Sequence, residues 1–370
     1  MVSETLIVGG GLAGGAAALR LARGGERVRL LEREAGPHDK VCGEFFSIEA
    51  QRDLAALGLD PLALGAMPID KVRLVARGRE AEAKLPFTAM GISRKVLDEA
   101  LLDRAAAAGT VIERGVRVTA IEDGKVRTGS GTHQGSRILV ATGKHALRGA
   151  ERAEGERISG YVGFKMHWQV ARREAERLTG WIELLPFAGG YAGLQMVAPG
   201  LSNLCLIVRR DALAAMGGGW DGLIGELCRD PAFAVRLQGA EAVFDRPLTI
   251  ANLPYGHVRR SAGDGLFRLG DQAAMTASLT GDGMAGALLS ARLAAECILA
   301  GGDAEAFQAR FARAVQGQVR RAMLLQRLTE MPLALRLGMT LLGLWPTLLQ
   351  SLAAATRLPA RHDEGTTVCA

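Results

Sequence analysis

The chain has 370 residues, of which 48 are glycine, 48 % are hydrophobic and 23 % are charged. That balance excludes a disordered chain, and glycine without a three-residue period excludes a collagen-like one. The 45 basic against 39 acidic residues give a net charge of +6. The basic residues fall in scattered pairs such as Arg172-Arg173 and Arg320-Arg321, which argues against a nucleic-acid-binding surface. The five cysteines, Cys42, Cys205, Cys228, Cys297 and Cys369, form no CxxC pair. An odd, unspaced set argues against a disulfide framework or a metal site and for a reducing compartment. Met1-Val2-Ser3-Glu4 runs into an apolar stretch without a basic leader, so a cytoplasmic location is expected.

In chain order, Thr5-Leu6-Ile7-Val8 reads as a buried parallel strand. Gly9-Gly10-Gly11-Leu12-Ala13-Gly14 follows, then an alanine-rich helix to Ala22. The glycines fit GxGxxG at Gly9, Gly11 and Gly14. In that pattern the first permits a sharp turn, the second lets the backbone approach a pyrophosphate, and the third lets helix and strand pack closely. The helix N-terminus adds free N–H groups and a positive dipole end. A second apolar run, Val28 to Leu31, ends at Glu32 beside Arg33, where the ribose-binding acid of such a fingerprint is expected. Strand, turn, helix and acid together predict a dinucleotide site.

Lys40-Val41-Cys42-Gly43-Glu44-Phe45 offers two candidate reactive groups. Cys42 reads either as a functional thiol or as a small buried hydrophobe. Glu44 reads as an acid or base if burial raises its pKa, or as a loop carboxylate. Lys71 to Val75 and Ala81 to Leu85 read as strands. Gly91-Ile92-Ser93-Arg94 precedes a helix, Arg137 to Val140 leads into Thr142-Gly143, and His145 follows as a lone loop histidine.

Tyr161 to Trp168, Trp181 to Leu185 and Leu204 to Val208 alternate loosely, which predicts an antiparallel sheet. Between them lies Gly189-Gly190-Tyr191-Ala192-Gly193-Leu194-Gln195. Lys165, His167, Tyr191 and Gln195 are the polar candidates there. Gly217 to Gly219 reads as a loop before a helix around Leu223 to Cys228. Leu266 to Leu269 leads into Gly270-Asp271, and Ser278-Leu279-Thr280-Gly281-Asp282-Gly283-Met284 opens a long helix to about Leu299. Helices follow from 306. Leu337 to Ala355 carries no formal charge and is long enough for a membrane-span candidate, but Pro346 predicts a break near Trp345. A packed cap, a membrane-surface contact and a span all stay open. Arg361 to Ala370 reads as a polar, frayed end.

As an ordered set, these segments resemble the FAD-dependent oxidoreductases of the para-hydroxybenzoate hydroxylase and geranylgeranyl reductase superfamily, from the first strand to the helix ending near Leu299. The resemblance implies an α/β fold: a Rossmann-like FAD-binding domain (1–71, 88–150 and 250–305), an antiparallel β-sheet substrate domain (72–87 and 151–249) and a C-terminal helical cap (306–370). It implies FAD contacts at Gly9, Gly11, Gly14, Glu32, Arg33, Arg94, Gly143, Gly270, Asp271, Gly281, Gly283 and Met284. It places Cys42 and Glu44 beside the isoalloxazine and Tyr191 and Gln195 in the substrate roof.

Four departures stand out. Thr142-Gly143 replaces the hydroxylases' Asp-Gly, which puts direct reduction by NADPH in doubt. Leu279-Thr280 replaces a proline before the second Gly-x-Gly. Glu44 replaces the second glycine of the reductases' Cys-Gly-Gly. Tyr191 is kept from their Tyr-x-Trp-x-Phe-Pro stretch, but the tryptophan and proline are not. The Trp-x-Trp-x-Ile-Pro motif of tryptophan halogenases is absent. The expected function is a flavin monooxygenase that hydroxylates a lipophilic aromatic or polyketide-like molecule through a flavin hydroperoxide. The alternatives are a geranylgeranyl-reductase-like C=C reductase and a flavin electron relay, though five scattered cysteines do not supply the iron–sulfur cluster of the latter. NADPH or NADH is the expected electron donor, directly or through a separate reductase. A carrier protein, and peripheral membrane contact through 337–355, are the other expected partners; no nucleic acid is expected.

Overall fold

The computed structural model describes residues 4–76, 78–152, 160–345 and 347–358. The expected frayed end at Arg361 to Ala370, together with Cys369 and Pro346 itself, lies outside the described residues.

The N-terminal apolar run forms strand Glu4–Val8, the centre of a five-stranded parallel sheet. Its neighbours are Arg137–Val140 and Arg27–Glu32, flanked in turn by Phe267–Arg268 and Val111–Arg114. Helix Leu12–Arg23 packs against helices Arg94–Ala107 and Gly283–Leu299. The contact is made of alanines and leucines: Ala16, Ala17, Ala18, Leu101, Leu288 and Ala291 are fully buried. Small side chains on the first helix let its backbone lie close to its neighbours, and parallel strands buried on both faces read as unbroken apolar runs.

A second, nine-stranded sheet joins two parts of the chain. Its order is Glu241–Ala242, Tyr161–Gln169, Leu201–Arg209, Gly190–Ala198, Gly180–Phe187, Met67–Ala76, Arg79–Gly91 and Phe45–Phe46, with Leu248–Ala251 also paired to Tyr161–Gln169. The pairings are antiparallel except that of Gly180–Phe187 with Met67–Ala76. The hairpin Met67 to Gly91 runs beyond the expected 72–87 at both ends. The glycine-rich segment around Tyr191 is a regular strand, although glycine weakens strand propensity.

Period-two alternation sorts this sheet into two faces. Val162, Phe164, Ala192, Leu194, Leu204, Leu206 and Val208 pack beneath helices Trp220–Leu227 and Pro231–Leu237. The intervening residues form three cross-strand rows on the opposite face: Gly163, Ile207 and Tyr191; Lys165, Cys205 and Gly193; His167, Asn203 and Gln195. The chain ends in a 27-residue helix, Ala304–Glu330, then helices Pro332–Leu344 and Thr347–Ala355. The last two turn through 118° near the expected proline break and pack on strand Arg79–Gly91.

Candidate active site

A cavity of about 1430 Å³ runs from the glycine turn, past Cys42–Glu44, to the second face of the large sheet and the C-terminal helices. That exceeds the roughly 300–1,000 Å³ of an ordinary small-molecule pocket.

At its first end the backbone is crowded by design of the turn. Gly9 has φ +105°, and a Cβ there would lie 2.5 Å from the Ala141 carbonyl oxygen. A Cβ at Gly14 would lie 1.9 Å from the Gly9 oxygen. Gly11 is different: a Cβ there would meet side-chain tips alone, of Arg94 (3.4 Å), Lys40 (3.5 Å) and Asp98 (3.9 Å). Two cations thus converge over the uncapped N-terminus of helix Leu12–Arg23, the arrangement that binds phosphate. Asp98 holds both, at 2.7 Å from Lys40 Nζ and 2.7 Å from Arg94 Nε. Burial opposes its ionisation, but Arg94 and Lys40 outweigh this and keep its carboxyl below the usual range. Glu32 is buried and accepts from the Gly10 N–H (2.5 Å) and the Glu34 N–H (2.9 Å). Arg33 is exposed and donates to Glu34. These residues fit a dinucleotide: a crowded turn, an open glycine, paired cations and an acid.

The middle of the cavity is lined by Gly143, Gly270, Asp271, Gly281, Gly283 and Met284. Gln272, almost fully buried, donates to Thr142 Oγ1, the Gly143 carbonyl and the His145 carbonyl, and so fixes that turn. Asp271 pairs with Lys144 at 3.3 Å. Burial works against the Lys144 charge, yet Asp271 raises its pKa overall. His145 is shifted down, first by burial and then by Arg33 and Lys144; its ring belongs to this cationic neighbourhood. Gly283 opens helix Gly283–Leu299 with free space where a Cβ would be.

The segment Cys42–Glu44 forms the floor. Asn203 donates to the carbonyls of Cys42 (3.0 Å) and Gly43 (2.8 Å), and Gln195 donates to the Gly43 carbonyl (2.8 Å). Gln195 is therefore a scaffold for the floor. Cys42 Sγ accepts from the Glu44 N–H (3.4 Å) and lies 3.8 Å from both Met284 Sδ and Arg94 Nη1.

Glu44 has φ +56°, a backbone that normally favours glycine. It stands where the resembling reductases have their second glycine. Its side chain is fully buried and holds the strained backbone in place. Glu44 Oε1 accepts from Lys165 Nζ (2.6 Å) and the Arg94 N–H (2.8 Å), and Oε2 lies 2.6 Å from His167 Nε2. Asp39 completes the cluster, 3.2 Å from Lys165 Nζ. Both carboxylate oxygens of Glu44 are thus committed, and the residue anchors the loop where the sequence suggested an acid or base. Asp39, Glu44 and His167 also have the spacing of metal ligands. However, the Lys165 ammonium already supplies the positive charge among them.

At the far end, Tyr191 and Tyr255 meet at one hydroxyl: both lie within hydrogen-bond distance of Ser278 Oγ, at 2.6 and 2.9 Å. Burial pushes both phenols up, away from ionisation. Tyr161 stands edge-on to Tyr255 at 5.7 Å and donates to Glu330. All 3 tyrosines of the chain therefore share one patch. Burial also raises Cys205 to about 12. Much of the remaining wall is apolar, including Leu74, Phe87, Ile182, Leu184 and Met275, with Thr276, Thr280 and Arg357 among its polar members. Sequence reasoning missed Asn203, Tyr255 and Gln272. The first was legible in principle, because it shares a strand face with Cys205 and Ile207.

Residues 2–135 match the FAD binding domain family. Squalene epoxidase 5 of Arabidopsis thaliana is 33 % identical over 86 residues, 23 % of this chain and 17 % of that one. Menaquinone reductase of Mycolicibacterium smegmatis is 27 % identical over 124 residues, 32 % of this chain and 30 % of that one. The match thus spans less than a third of either relative's length. Among solved structures, the flavin-dependent brominase Bmp2 superposes with a TM-score of 0.77 at 18 % identity, over 96 % of this chain and 94 % of that one. At such identity the likeness carries the fold, and the fold agrees with the FAD-binding domain match and with the cradle at Gly11. Residues 2–135 thus carry an FAD binding domain, and the chain as a whole shares the fold of a flavin-dependent enzyme.

Proposed function

We propose that the protein is a flavin monooxygenase that hydroxylates a lipophilic, electron-rich aromatic molecule of alkylphenol or polyketide type. The observation that carries this reading is the chemistry of the far half of the cavity. It joins largely apolar walls to two neutral phenol hydroxyls at Ser278.

Adding hydride to a C=C bond also requires a proton at the neighbouring carbon, and a good donor is an acid with a pKa near the working pH. Tyr191, Tyr255 and Cys205 are all pushed the other way. Hydroxylating an electron-rich ring makes no such demand on the protein: the ring supplies the electrons. The protein must orient it, and two phenols that donate to or accept from a substrate hydroxyl do that.

Reduced FAD supplies the activation of O₂ and the oxygen-atom transfer. The protein's residues do the rest. Gly11, Arg94 and Lys40 hold the pyrophosphate, and Glu32 binds the adenosine ribose. Asn203, Gln195 and the Glu44 cluster fix the floor on which the ring system rests. Tyr191 and Tyr255 bind the substrate head, and the apolar walls exclude water from the reacting centre. Electrons arrive from NADPH or NADH, directly or through a separate reductase.

A reductive reading draws on Cys42, the one thiol on the floor, and on the similarity to menaquinone reductase. One experiment separates the two. The FAD-loaded protein is reduced with dithionite under nitrogen in the presence of a meta-pentadecenylphenol, whose side chain carries one C=C bond and whose ring is electron-rich, and isotopically heavy dioxygen is then admitted. The expected outcome is a hydroxylated product that carries the heavy oxygen and forms only after O₂ enters. A reduced product formed before O₂, with no label incorporated, would overturn the proposal.

A further inference from the structure

We infer that the outer face of the C-terminal helices is a docking surface for an anionic lipid bilayer, which brings the cavity wall to the lipid. The inference rests on the reading above, in which the cavity takes a lipophilic molecule.

Eight of the thirteen exposed large hydrophobic side chains among the described residues fall between Leu324 and Leu348. Leu333 is 69 % exposed, Trp345 59 % and Leu337 58 %. Helix Pro332–Leu344 is apolar on two sides. Met339 and Leu342 are buried against Leu74, Ala76 and Ala81 of the sheet, while Leu333, Leu337 and Leu341 form an outward stripe at four-residue spacing. A helix apolar all round is stable when both faces are covered, and this one has only its inner face covered.

Charge decides the occupant. Between Phe311 and Leu358 the sequence has six arginines and a single acid, Glu330. Glu330 accepts from the Tyr161 hydroxyl, and Arg357 turns inward to Asp282 at 2.8 Å. Arg313, Arg320, Arg321, Arg327 and Arg336 are left exposed. A symmetric dimer would press this arginine-rich face against its own copy, whereas an anionic lipid surface complements it.

The surface suits contact with a membrane, not passage through one. No single described helix is long and apolar enough to cross, and the two short halves bend by 118°. A ten-residue half is about 15 Å long against a hydrocarbon core of about 30 Å. Leu337 and Leu341, exposed on the outside, also line the cavity. The same side chains therefore touch both the proposed bilayer and the proposed substrate chamber.

The test is co-sedimentation of the full-length FAD-loaded protein with two kinds of vesicle, phosphatidylcholine alone and phosphatidylcholine mixed with phosphatidylglycerol. The expected result is binding to the mixed vesicles, weakened by salt. R327A/R336A should lower the partition about 5-fold per arginine removed. L333S/W345S should abolish binding while its flavin spectrum stays that of the wild type, which shows an intact fold. With meta-pentadecylphenol held in the mixed vesicles, turnover should fall together with the partition. Wild-type protein left in the supernatant with both vesicles would overturn the inference. So would arginine variants that bind undiminished, or a dimer in light scattering that L333S/W345S returns to monomer. Vesicle binding needs no turnover: bound protein that does not hydroxylate the phenol would sink the monooxygenase reading alone.

Discussion

The two ends of the cavity are built from different materials. The phosphate end is made of backbone: Gly9 and Gly14 are in contact with neighbouring carbonyls, Gly11 is open, and the only side chains that matter are charged ones converging from outside. The roof end is made of side chains presented in rows by a sheet, with Tyr191 and Tyr255 meeting at Ser278. Between them, Cys42–Glu44 belongs to both, because its carbonyls are held by the roof and its carboxylate by a buried ion cluster. A backbone-built site tolerates one kind of ligand, a flat dinucleotide with phosphates. A side-chain-built site can change its ligand through a few substitutions. One fold therefore keeps its cofactor while its chemistry varies.

That contrast can be broken at several points. The largest effect belongs to the cluster that joins the two ends. K165M leaves Glu44 buried with a charge and one partner fewer, and should cost about 3–5 kcal/mol in denaturant unfolding. Adding E44Q to K165M should recover part of the loss. If K165M alone unfolds like the wild type, the cluster does not hold the floor.

Next comes G11V. Its side chain meets the side-chain tips of Arg94, Lys40 and Asp98 and no backbone atom, so the protein should fold. It should bind FAD at least about 100-fold more weakly, equivalent to about 2.7 kcal/mol. Purification at full flavin occupancy would place the phosphates elsewhere.

A smaller effect is expected at Asp282, between the two glycines of the second fingerprint. Burial raises it from 3.8 to about 7, partly offset by Arg357 and Gln318. Because the folded state holds the proton more tightly, its stabilising contribution is complete below about pH 4 and is lost as pH rises through about 7. Between pH 6 and pH 8 the decline should be about 1.4 kcal/mol, and D282N should remove it. Equal slopes for the two proteins would show that Asp282 does not titrate there.

The same contrast explains what could be read in advance. The phosphate end was legible because its chemistry is local: Gly9, Gly11, Gly14 and Glu32 sit at fixed spacings around one strand and one helix, and the backbone geometry permits little else. Arg94 and the glycines at 270, 281 and 283 were expected from the family resemblance, and all four line the same cavity. The roof was legible only as alternation. Which residues meet there depends on strand register, such as Gln195 opposite Asn203 in one hairpin and His167, from a distant strand, opposite the same Asn203. Glu44 shows the limit most clearly. Its residue type suggested proton transfer, but its role follows from three partners, Lys165, His167 and the Arg94 N–H, none of them visible in the loop itself. Tyr255 and Ser278 lay in segments without periodicity, and their meeting with Tyr191 needed the fold.

The central claim is that FAD and a lipophilic phenol occupy adjoining ends of one cavity. It is tested most directly by titrating the oxidised, FAD-loaded protein with meta-pentadecylphenol while following the flavin absorbance. A saturable perturbation of the flavin band, with one phenol bound per chain, is the predicted result. Y191F/Y255F should weaken that binding by about 10-fold, the equivalent of about 1.4 kcal/mol for the lost hydrogen bonds. A flavin band that does not respond, or an unchanged affinity in the double variant, would contradict the claim.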